Sequence, residues 1–262
     1  LAVKAEGEDK YLLGEVWEDA TNKISYGNRR RFLRGRQLDS VMNYPFANAV
    51  TEYVKGGGAE KLLNTVLDIL ENYPPQAVKL LMNHIGTHDT ARAITVLGAN
   101  DGYVGDRKWQ STRILTAEEY DKGVRLLKLA AVLQFTLPGV PSVYYGDEAG
   151  LTGYGDPFCR AAYPWGRENT ELLEFYKALG ALRRSSPAFA SGEFVPLKAD
   201  SGVFSFMRKN GKSTAFVAVN SGNNTAGLDI PPDFKNIKTF LGETPVNGRL
   251  DLNPKTFSLI TM

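Results

Sequence analysis

The residues with the clearest chemical potential in this sequence follow short apolar segments. Glu15 and Trp17 come directly after the apolar run that ends at Gly14. An apolar run of this length, bounded by polar residues, is typical of a buried strand. Parallel α/β enzymes place catalytic groups at the carboxyl ends of such strands. Taken alone, the segment fits an ordinary strand end with a solvated acidic loop equally well.

Three further apolar segments are followed by polar and aromatic side chains in the same way. Residues 38–46 are predicted to form a second strand that Pro45 ends, residues 77–83 a third, and residues 140–145 a fourth that leads into a glycine-rich loop. The side chains expected at the four strand ends are Glu15 and Trp17; Asn43, Tyr44 and Phe46; His88 and Asp89; and Tyr145, Asp147, Asp156 and Arg160.

This set of side chains is suited to glycoside chemistry. Carboxyl ends of parallel strands meet at one rim of a sheet, so we expect the side chains to converge there. Aromatic rings can stack on sugar faces, one carboxylic acid can protonate the leaving oxygen, and a second carboxylate can attack or stabilise the oxocarbenium-like centre. A different α/β enzyme that uses Glu15 and His88 as a pair, such as an isomerase, stays an alternative.

The elements that must position these side chains alternate between strand and helix. Helical periodicity and a capping-box pattern at Thr116 predict helices over residues 46–54, 59–72, 116–135 and 171–184. Four such alternations require a parallel sheet with covering helices, either an open doubly wound sheet or half of an eight-stranded barrel. No glycine-rich dinucleotide fingerprint follows any strand, which argues against a nucleotide-binding sheet.

The pattern changes to short β-rich segments near residue 189. Asn-Gly, Ser-Gly and Pro-Pro turn signals divide these segments, which predicts a small antiparallel β-sandwich. We place the domain boundary near Ser186. Residues 1–186 are therefore expected to form the α/β domain, and residues 187–262 the C-terminal β-domain.

Composition restricts the partners and the compartment. The 31 basic and 29 acidic residues nearly balance, so we expect neither a nucleic-acid nor a membrane partner. No segment approaches the roughly 20 apolar residues that a membrane helix needs. The single cysteine, Cys159, excludes an internal disulfide framework and a cysteine metal cluster. It fits a reducing compartment, which favours the cytoplasm.

Five arginines lie within the eight residues from 29 to 36. Such a cluster is typical of a phosphate or nucleic-acid patch, but also of a solvated helix or loop that pairs with nearby acids. The second interpretation is favoured because a single aromatic residue, Phe32, lies among the arginines, without the regular interleaving of aromatic and basic residues that nucleic-acid binding uses.

Several motifs together resemble the alpha-amylase family of glycoside hydrolases. Within that family they are most similar to the branch of cyclomaltodextrinases, neopullulanases and maltogenic amylases. The matching motifs occur in the right order and are Gly14-Glu15-Val16-Trp17, Met42-Asn43-Tyr44-Pro45-Phe46, Thr87-His88-Asp89-Thr90-Ala91-Arg92, the run over residues 139–148, and Asp156-Pro157-Phe158-Cys159-Arg160.

The resemblance implies a role for each matching side chain. Glu15 matches the general acid/base at the end of barrel strand five. Asp89 matches the third essential acid, which binds the sugar in its distorted transition-state geometry, and His88 matches the histidine that hydrogen-bonds the same sugar. Asp156 and Arg160 match a pair that lines the non-reducing side of the cleft.

Other polar and aromatic residues keep two interpretations. Trp17 and Tyr44 are either rim aromatics that contact sugar or packing residues of the rim. For His84, Glu18 and Asp19 a structural or solvated role is favoured. The resemblance implies no cofactor and no metal at these residues, and leaves any calcium to a part of the parent protein outside this sequence.

The sequence departs from the family pattern in one respect: it has no match to the catalytic nucleophile. The family places it, an aspartate, at the end of barrel strand four, and no aspartate here matches its motif. The chain begins at Leu1, about ten residues before the first predicted strand, so we expect a processed or truncated chain. The fold expected is the second half, strands five to eight, of a (β/α)8 TIM barrel, followed by the β-sandwich.

We therefore state two expectations, one for the longer parent protein and one for the 262-residue chain alone. The parent is expected to be a retaining hydrolase of α-glucosidic bonds in maltooligosaccharides, cyclodextrins or related α-glucans. The chain alone is expected to be inactive, and to self-associate or pair with the missing half-barrel. An α-glucan transglycosylase, or a non-catalytic amylase-fold carbohydrate-binding protein, remains an alternative.

Overall fold

The computed structural model describes residues 2–101, 105–211, 213–232, 234 and 238–262. The helices are α1 (Ala2–Ala5), α2 (Tyr44–Val54), α3 (Ala59–Asn72), α4 (Pro75–Val78), α5 (Ala93–Gly98), α6 (Arg107–Thr112), α7 (Ala117–Thr136), α8 (Thr170–Ser185) and α9 (Pro187–Ser191). The strands are β1 (Leu13–Gly14), β2 (Ile24–Ser25), β3 (Asn28–Arg29), β4 (Ser40–Val41), β5 (Met82–Asn83), β6 (Val140–Pro141), β7 (Glu193–Asp200), β8 (Val203–Asn210), β9 (Ser213–Asn220), β10 (Ala226–Asp229), β11 (Lys238–Gly242), β12 (Arg249–Leu252) and β13 (Thr256–Thr261).

Four short parallel strands form the framework of the first part of the chain. Strand β1 pairs with β4, and β5 pairs with β6. A parallel bridge between Met42 and Met82 joins the two pairs, which gives the order β1-β4-β5-β6. Helices α2, α3 and α7 follow the strands and pack on them through a common apolar cluster. The predicted alternation of parallel strands and covering helices is therefore present.

The predicted second strand is shorter than the sequence indicated. Only Ser40 and Val41 are extended, and α2 already begins at Tyr44. Pro45 lies in the first turn of α2, where a missing N–H costs no hydrogen bond. The Asn43 side chain caps the helix by accepting a hydrogen bond from the Phe46 N–H at 3.3 Å. Pro45 therefore starts a helix rather than ending a strand.

The third and fourth predicted strands are shortened as well. Residues 75–78 form α4, and only Met82 and Asn83 of the predicted strand over residues 77–83 are extended. The predicted strand over residues 140–145 extends only through Val140 and Pro141. A short apolar run does not distinguish a buried strand from a buried helical turn. The proline in the first turn of α4 favours the helix here.

The predicted helices agree closely with the structure. Helix α3 has the predicted bounds, and the glycine run before it separates it from α2. The capping box of α7 is formed by Thr116 and Glu119, each of which bonds the other's backbone N–H. Helix α8 has Arg183 and Arg184 in its last turn, where positive charge favours the helix dipole.

The C-terminal part of the chain contains two antiparallel sheets. Strands β11-β13-β9-β8-β7 form a five-stranded sheet in that order, and β10 pairs with β12. One face of the large sheet, with Phe204, Phe206 and Val217, joins the apolar cluster of the helices, while Met207 and Phe216 on the other face pack with β10 and β12. Both faces are covered, so six consecutive residues are buried in each of β8 and β9. Strands β7, β10 and β12 were not predicted.

The sheet and the helices are tied by buried hydrogen bonds. Arg208 is buried and donates to the carbonyls of Thr136, Phe189 and Gly192. The Tyr53 hydroxyl of α2 donates to the Val219 carbonyl at 2.7 Å. Within the part of the chain that the structure describes, no helix has the length and apolar character needed to cross a membrane.

Candidate active site

Glu15, His88 and Asp89 come together at the carboxyl ends of the parallel strands. Glu15 directly follows β1, and His88 and Asp89 lie in the loop after β5. One polar atom from each side chain lies within 4.8 Å of the other two. All three side chains are exposed. Two carboxylates and an imidazole are therefore open to a ligand at one point of the rim.

The Asp89 carboxylate is oriented by two partners. His88 Nε2 lies 3.2 Å from its Oδ2, and Arg160 Nη2 lies 3.2 Å from its Oδ1. Arg160 Nε also lies 2.6 Å from Asp156 Oδ1 and donates to the His88 carbonyl at 3.1 Å. Ion pairs this exposed contribute about 0–1 kcal/mol to stability. Their effect is to set the directions of the groups that face the rim.

Tyr44 and Trp17 form a stacked aromatic pair beside Glu15. Their ring centroids are 4.2 Å apart, at 16° between planes. Tyr44 is buried, and its hydroxyl donates to Glu15 Oε1 at 3.2 Å. Burial, with the Glu15 charge as a smaller contribution, raises the pKa of Tyr44 to about 12, so the phenol keeps its proton. Trp17 is 51% exposed and offers a flat apolar surface next to the carboxylate.

His84 lies beneath this pair rather than at the rim. Its buried ring meets the Tyr44 ring edge-on, with the centroids 4.6 Å apart. Neither ring nitrogen has a hydrogen-bond partner among the described residues. Burial lowers the pKa of His84 to about 4, so the ring is neutral at pH 7.

Asn43, Phe46 and Asp147 were expected at the rim, but the structure buries all three. Asn43 Nδ2 donates to Asn83 Oδ1 at 2.9 Å and caps α2. Asp147 Oδ1 lies 3.6 Å from Nη1 of the buried Arg92. Burial raises the pKa of Asp147 to about 7, although Arg92 opposes that rise. These residues support the rim from below.

Arg92 and Thr87 were quoted in a motif but given no role from the sequence. The Arg92 guanidinium lies over the rings of Tyr144 and Tyr145, 4.3 and 4.5 Å from their centroids. It connects the loop after β5 to the loop after β6. Thr87 is buried, and its hydroxyl oxygen accepts a hydrogen bond from the Asp89 N–H at 3.3 Å. Their presence in the motif was the only signal of either role.

The seven residues predicted as site residues form one continuous set of contacts. Trp17 stacks on Tyr44, Tyr44 bonds Glu15, and Glu15 lies near His88 and Asp89, which connect through Arg160 to Asp156. Cys159 is buried and its thiol donates to the His88 carbonyl at 3.2 Å, which helps to hold the loop after β6 against the site. Sequence separations of about 70 residues are closed here by the fold.

The donor atoms of Glu15, His88 and Asp89 are also close enough together to ligate a metal ion. His88 Nε2 already lies at hydrogen-bonding distance from Asp89. The expectation that no metal binds at these residues stays a prediction.

The parallel α/β framework carries carboxylates, an imidazole and an exposed aromatic ring at its carboxyl rim, the groups that glycoside chemistry uses. The family described as alpha amylase, catalytic domain, matches residues 1–163. The chain belongs to the alpha-amylase family of glycoside hydrolases, as the sequence motifs indicated.

Individual relatives agree with the branch named from the motifs. A cyclomaltodextrinase from Geobacillus thermopakistaniensis is 35% identical over 238 residues, which cover 88% of this chain and 35% of the relative. An amylopullulanase from Thermoanaerobacter thermohydrosulfuricus is 35% identical over 235 residues, covering 81% of this chain and 15% of the relative. The crystal structure of a debranching enzyme from Nostoc punctiforme superimposes with a TM-score of 0.79 at 26% identity, covering 99% of this chain and 53% of that one. The chain thus spans about a third of the cyclomaltodextrinase and about half of the debranching enzyme.

Proposed function

We propose that this chain provides the acid/base and sugar-binding groups of a retaining hydrolase that cleaves α-glucosidic bonds. The observation that carries the proposal is the meeting of Glu15, His88 and Asp89 within 4.8 Å at the carboxyl rim. The proposed substrates are maltooligosaccharides, cyclodextrins or related α-glucans. The names of the two relatives, cyclomaltodextrinase and amylopullulanase, support this class. No cofactor takes part in the proposed reaction.

Glu15 is assigned the proton transfers. As general acid it protonates the glycosidic oxygen of the leaving sugar, and as general base it then takes a proton from the incoming water. The hydrogen bond from Tyr44 to Oε1 fixes one carboxyl oxygen and leaves the other free to face the substrate. Trp17 provides a stacking surface for a sugar ring next to the bond that breaks.

Asp89 and His88 are assigned to the sugar in the transition state. Their polar atoms face the position that Glu15 also faces, so they can bind hydroxyl groups of the same ring. Arg160 and Asp156 continue the polar wall beyond Asp89. Hydrogen bonds to sugar hydroxyls that strengthen in the transition state contribute several kcal/mol in glycosidases.

The separation of Glu15 and Asp89 would by itself suit a retaining pair, whose carboxyl groups are about 5 Å apart. Asp89, however, already pairs with Arg160 and His88, which reduces its ability to attack a sugar. We therefore assign the nucleophile to an aspartate outside this sequence. General acid–base catalysis alone supplies typically 10²–10⁴-fold, so the chain alone is expected to be inactive.

The assignment of the nucleophile to a segment outside this sequence also bears on the proposed fold. The proposed architecture is strands five to eight of a (β/α)8 barrel over residues 1–186, with the β-domain over residues 187–262. In the described residues, β1 pairs only with β4, and β6 only with β5. Each outer strand leaves one edge for a further parallel strand, which supports pairing with a missing half-barrel or with a second copy.

The test is to join this chain to the N-terminal half-barrel of the related Geobacillus cyclomaltodextrinase and to measure hydrolysis of β-cyclodextrin and maltotriose. We expect turnover by the joined protein and none by the 262-residue chain. Glu15→Gln should abolish turnover in the joined protein. Glu18→Gln is the matched control, because Glu18 is exposed and pairs with Lys23. Clear hydrolysis by the pure chain would contradict the assignment of the nucleophile.

Transglycosylation is a second candidate, favoured by the exposed face of the Trp17–Tyr44 stack beside Glu15. Such a surface can hold an acceptor sugar in place of water. Product analysis of the joined protein with excess glucose separates the two activities, since transfer products longer than the substrate would indicate the second. Calorimetry of the chain alone with maltoheptaose tests whether it binds glucans without turnover.

A further inference from the structure

A hairpin after the Trp17 segment presents the arginine cluster of the sequence. Strands β2 and β3 pair antiparallel, with Ile24 opposite Arg29. The turn residues Tyr26 and Gly27 both have positive φ, 52° and 73°, as a tight two-residue hairpin turn requires. Arg29 belongs to β3 itself, and the other four arginines follow the hairpin in a loop rather than a helix.

Four of the arginines surround a cavity of about 330 Å³, which we call the arginine pocket: Arg29, Arg30, Arg31 and Arg34. Ala20 and Leu33 form buried parts of its wall, and Asn22, Asn72 and Glu71 complete the polar lining. The size lies at the small end of the range for ligand-binding cavities. Arg36 is exposed outside this lining.

Two acids near the arginine pocket, Glu18 and Asp19, are engaged elsewhere. Glu18 pairs with Lys23. Asp19 accepts hydrogen bonds from Thr21 at 2.6 Å and from Asn72 at 3.2 Å. Within the described ranges, no carboxylate lies within 4.0 Å of any guanidinium between residues 29 and 36. The expected pairing of the cluster with nearby acids is therefore not found, and Glu71 is the single acid in the lining.

Two of the guanidinium groups are oriented by neutral partners. Arg29 Nη2 donates to Asn22 Oδ1 at 2.5 Å, and the Arg30 guanidinium lies 5.6 Å from the centre of the Tyr26 ring. Arg31 and Arg34 have no side-chain partner among the described residues. Like charges gathered in this way repel one another, and an anion would relieve that repulsion. Guanidinium forks match the oxygen geometry of phosphate.

We propose that the arginine pocket binds a phosphate group, either the free ion or the phosphoryl group of a small sugar phosphate. The site is separate from the cleft at Glu15, and the proposal does not depend on the assignment of glycosidase activity. A small pocket with a single aromatic side chain in its lining, Phe32, suits a small anion better than a nucleic-acid strand, which needs a groove with stacking surfaces.

Calorimetry of the 262-residue chain at constant ionic strength tests the proposal, with inorganic phosphate, glucose 6-phosphate and glucose as probes. We expect saturable 1:1 binding of the two phosphates and none of glucose. Equal affinity for both phosphates supports the free ion as ligand, and tighter binding of glucose 6-phosphate supports a sugar phosphate. Absence of saturable phosphate binding would overturn the proposal, as would tighter binding of an oligothymidylate than of either phosphate.

Arg34→Gln and Arg36→Gln form a matched pair of variants. Both residues are exposed in the same loop, but only Arg34 lines the pocket. Loss of one charge-assisted contact should weaken phosphate binding about tenfold in the Arg34 variant, and Arg36→Gln should bind as the unchanged chain does. Equal effects of the two substitutions would show general surface attraction and contradict a site.

Thermal unfolding of the unchanged chain gives a readout without substitution. Phosphate should raise the midpoint of unfolding more than chloride does at equal ionic strength, and an equal rise would contradict the proposal.

Discussion

His84, which packs under the site, makes the stability of the folded chain depend on pH. Its pKa is lowered from 6.5 to about 4 in the folded chain because burial disfavours the charged ring. Between those values the unfolded chain binds more protons than the folded chain, so this residue makes stability rise with pH. The contribution that is lost on acidification from pH 7 to pH 4 is about 3 kcal/mol.

His84→Phe is therefore expected to remove a pH-dependent part of the stability. Urea unfolding of both proteins at pH 7, 6, 5 and 4 measures the difference. The pKa of Asp147, raised to about 7, gives a slope of opposite sign between about pH 4 and pH 7, but it acts in both proteins and cancels in the comparison. Parallel curves for the two proteins would show that His84 does not carry the dependence.

Trp17 is expected to act on substrate affinity. In the joined protein described above, Trp17→Ala should raise KM for β-cyclodextrin about five- to tenfold and change kcat less, because a stacking surface binds ground state and transition state alike. Tyr26→Ala is the control, since Tyr26 is 92% exposed in the turn between β2 and β3. If kcat falls while KM stays constant, Trp17 acts on Glu15 rather than on a sugar.

At the scale of elements, the closest packing of helices depends on two glycines. A Cβ on Gly98 of α5 would lie 2.1 Å from the Glu119 carbonyl oxygen, and a Cβ on Gly123 of α7 would lie 2.6 Å from the Ile94 carbonyl oxygen. The two helices therefore touch through their backbones. This contact also holds the N-terminus of α7 beside the loop that follows α5.

Two glycine-to-alanine substitutions should have opposite effects on stability. Gly123→Ala is expected to lower the free energy of unfolding by about 1–3 kcal/mol, because the backbones must separate. Gly180→Ala in α8 should raise it by about 0.5–1 kcal/mol, because the nearest atom to its Cβ is the end of the Arg184 side chain at 3.4 Å and alanine favours the helix. Urea unfolding measures both. Stabilisation by Gly123→Ala would show that the helices separate without cost.

At the scale of the whole molecule, we expect association to depend on the outer strands β1 and β6. Val140 of β6 is 43% exposed at an edge with no partner strand among the described residues. Edges of this kind pair with other chains unless charge or a covering element prevents it. We therefore expect the chain to sediment as a species larger than its 28.8 kDa monomer.

Val140→Lys should shift that distribution toward the monomer, because a charge at the edge opposes pairing. Val246→Lys is the matched control, as Val246 is 68% exposed in the C-terminal part of the chain. Sedimentation velocity at several concentrations measures both variants. A monomer in the unchanged chain at all concentrations would contradict association through these edges.

The elements that the sequence predicted well are those with local causes. The bounds of α3 follow from its glycine run and its periodicity, and the start of α7 from the pairing of Thr116 with Glu119. The first and third parallel strands end where the sequence indicated, at Gly14 and Asn83, but the second and fourth end four to five residues earlier than predicted. Tyr44 and residues 75–78 are helical rather than extended, and in both cases a proline lies in the first turn of the helix. The pattern of apolar residues does not distinguish these two outcomes.

By itself, the sequence indicated the family, the alternation of parallel strands with helices, and Glu15, His88 and Asp89 as side chains of the rim, because motifs and periodicity are written in neighbouring residues. Only the tertiary structure decided which side chains meet. It placed Arg160 against Asp89 across about 70 residues and buried Asp147 with Arg92. Among the described residues it left the four arginines of the arginine pocket without an ion pair, although Glu71 lies in the lining. These outcomes depend on distances between segments that are far apart in the chain. The packing of the helices and sheets sets those distances, and the local sequence pattern does not encode them.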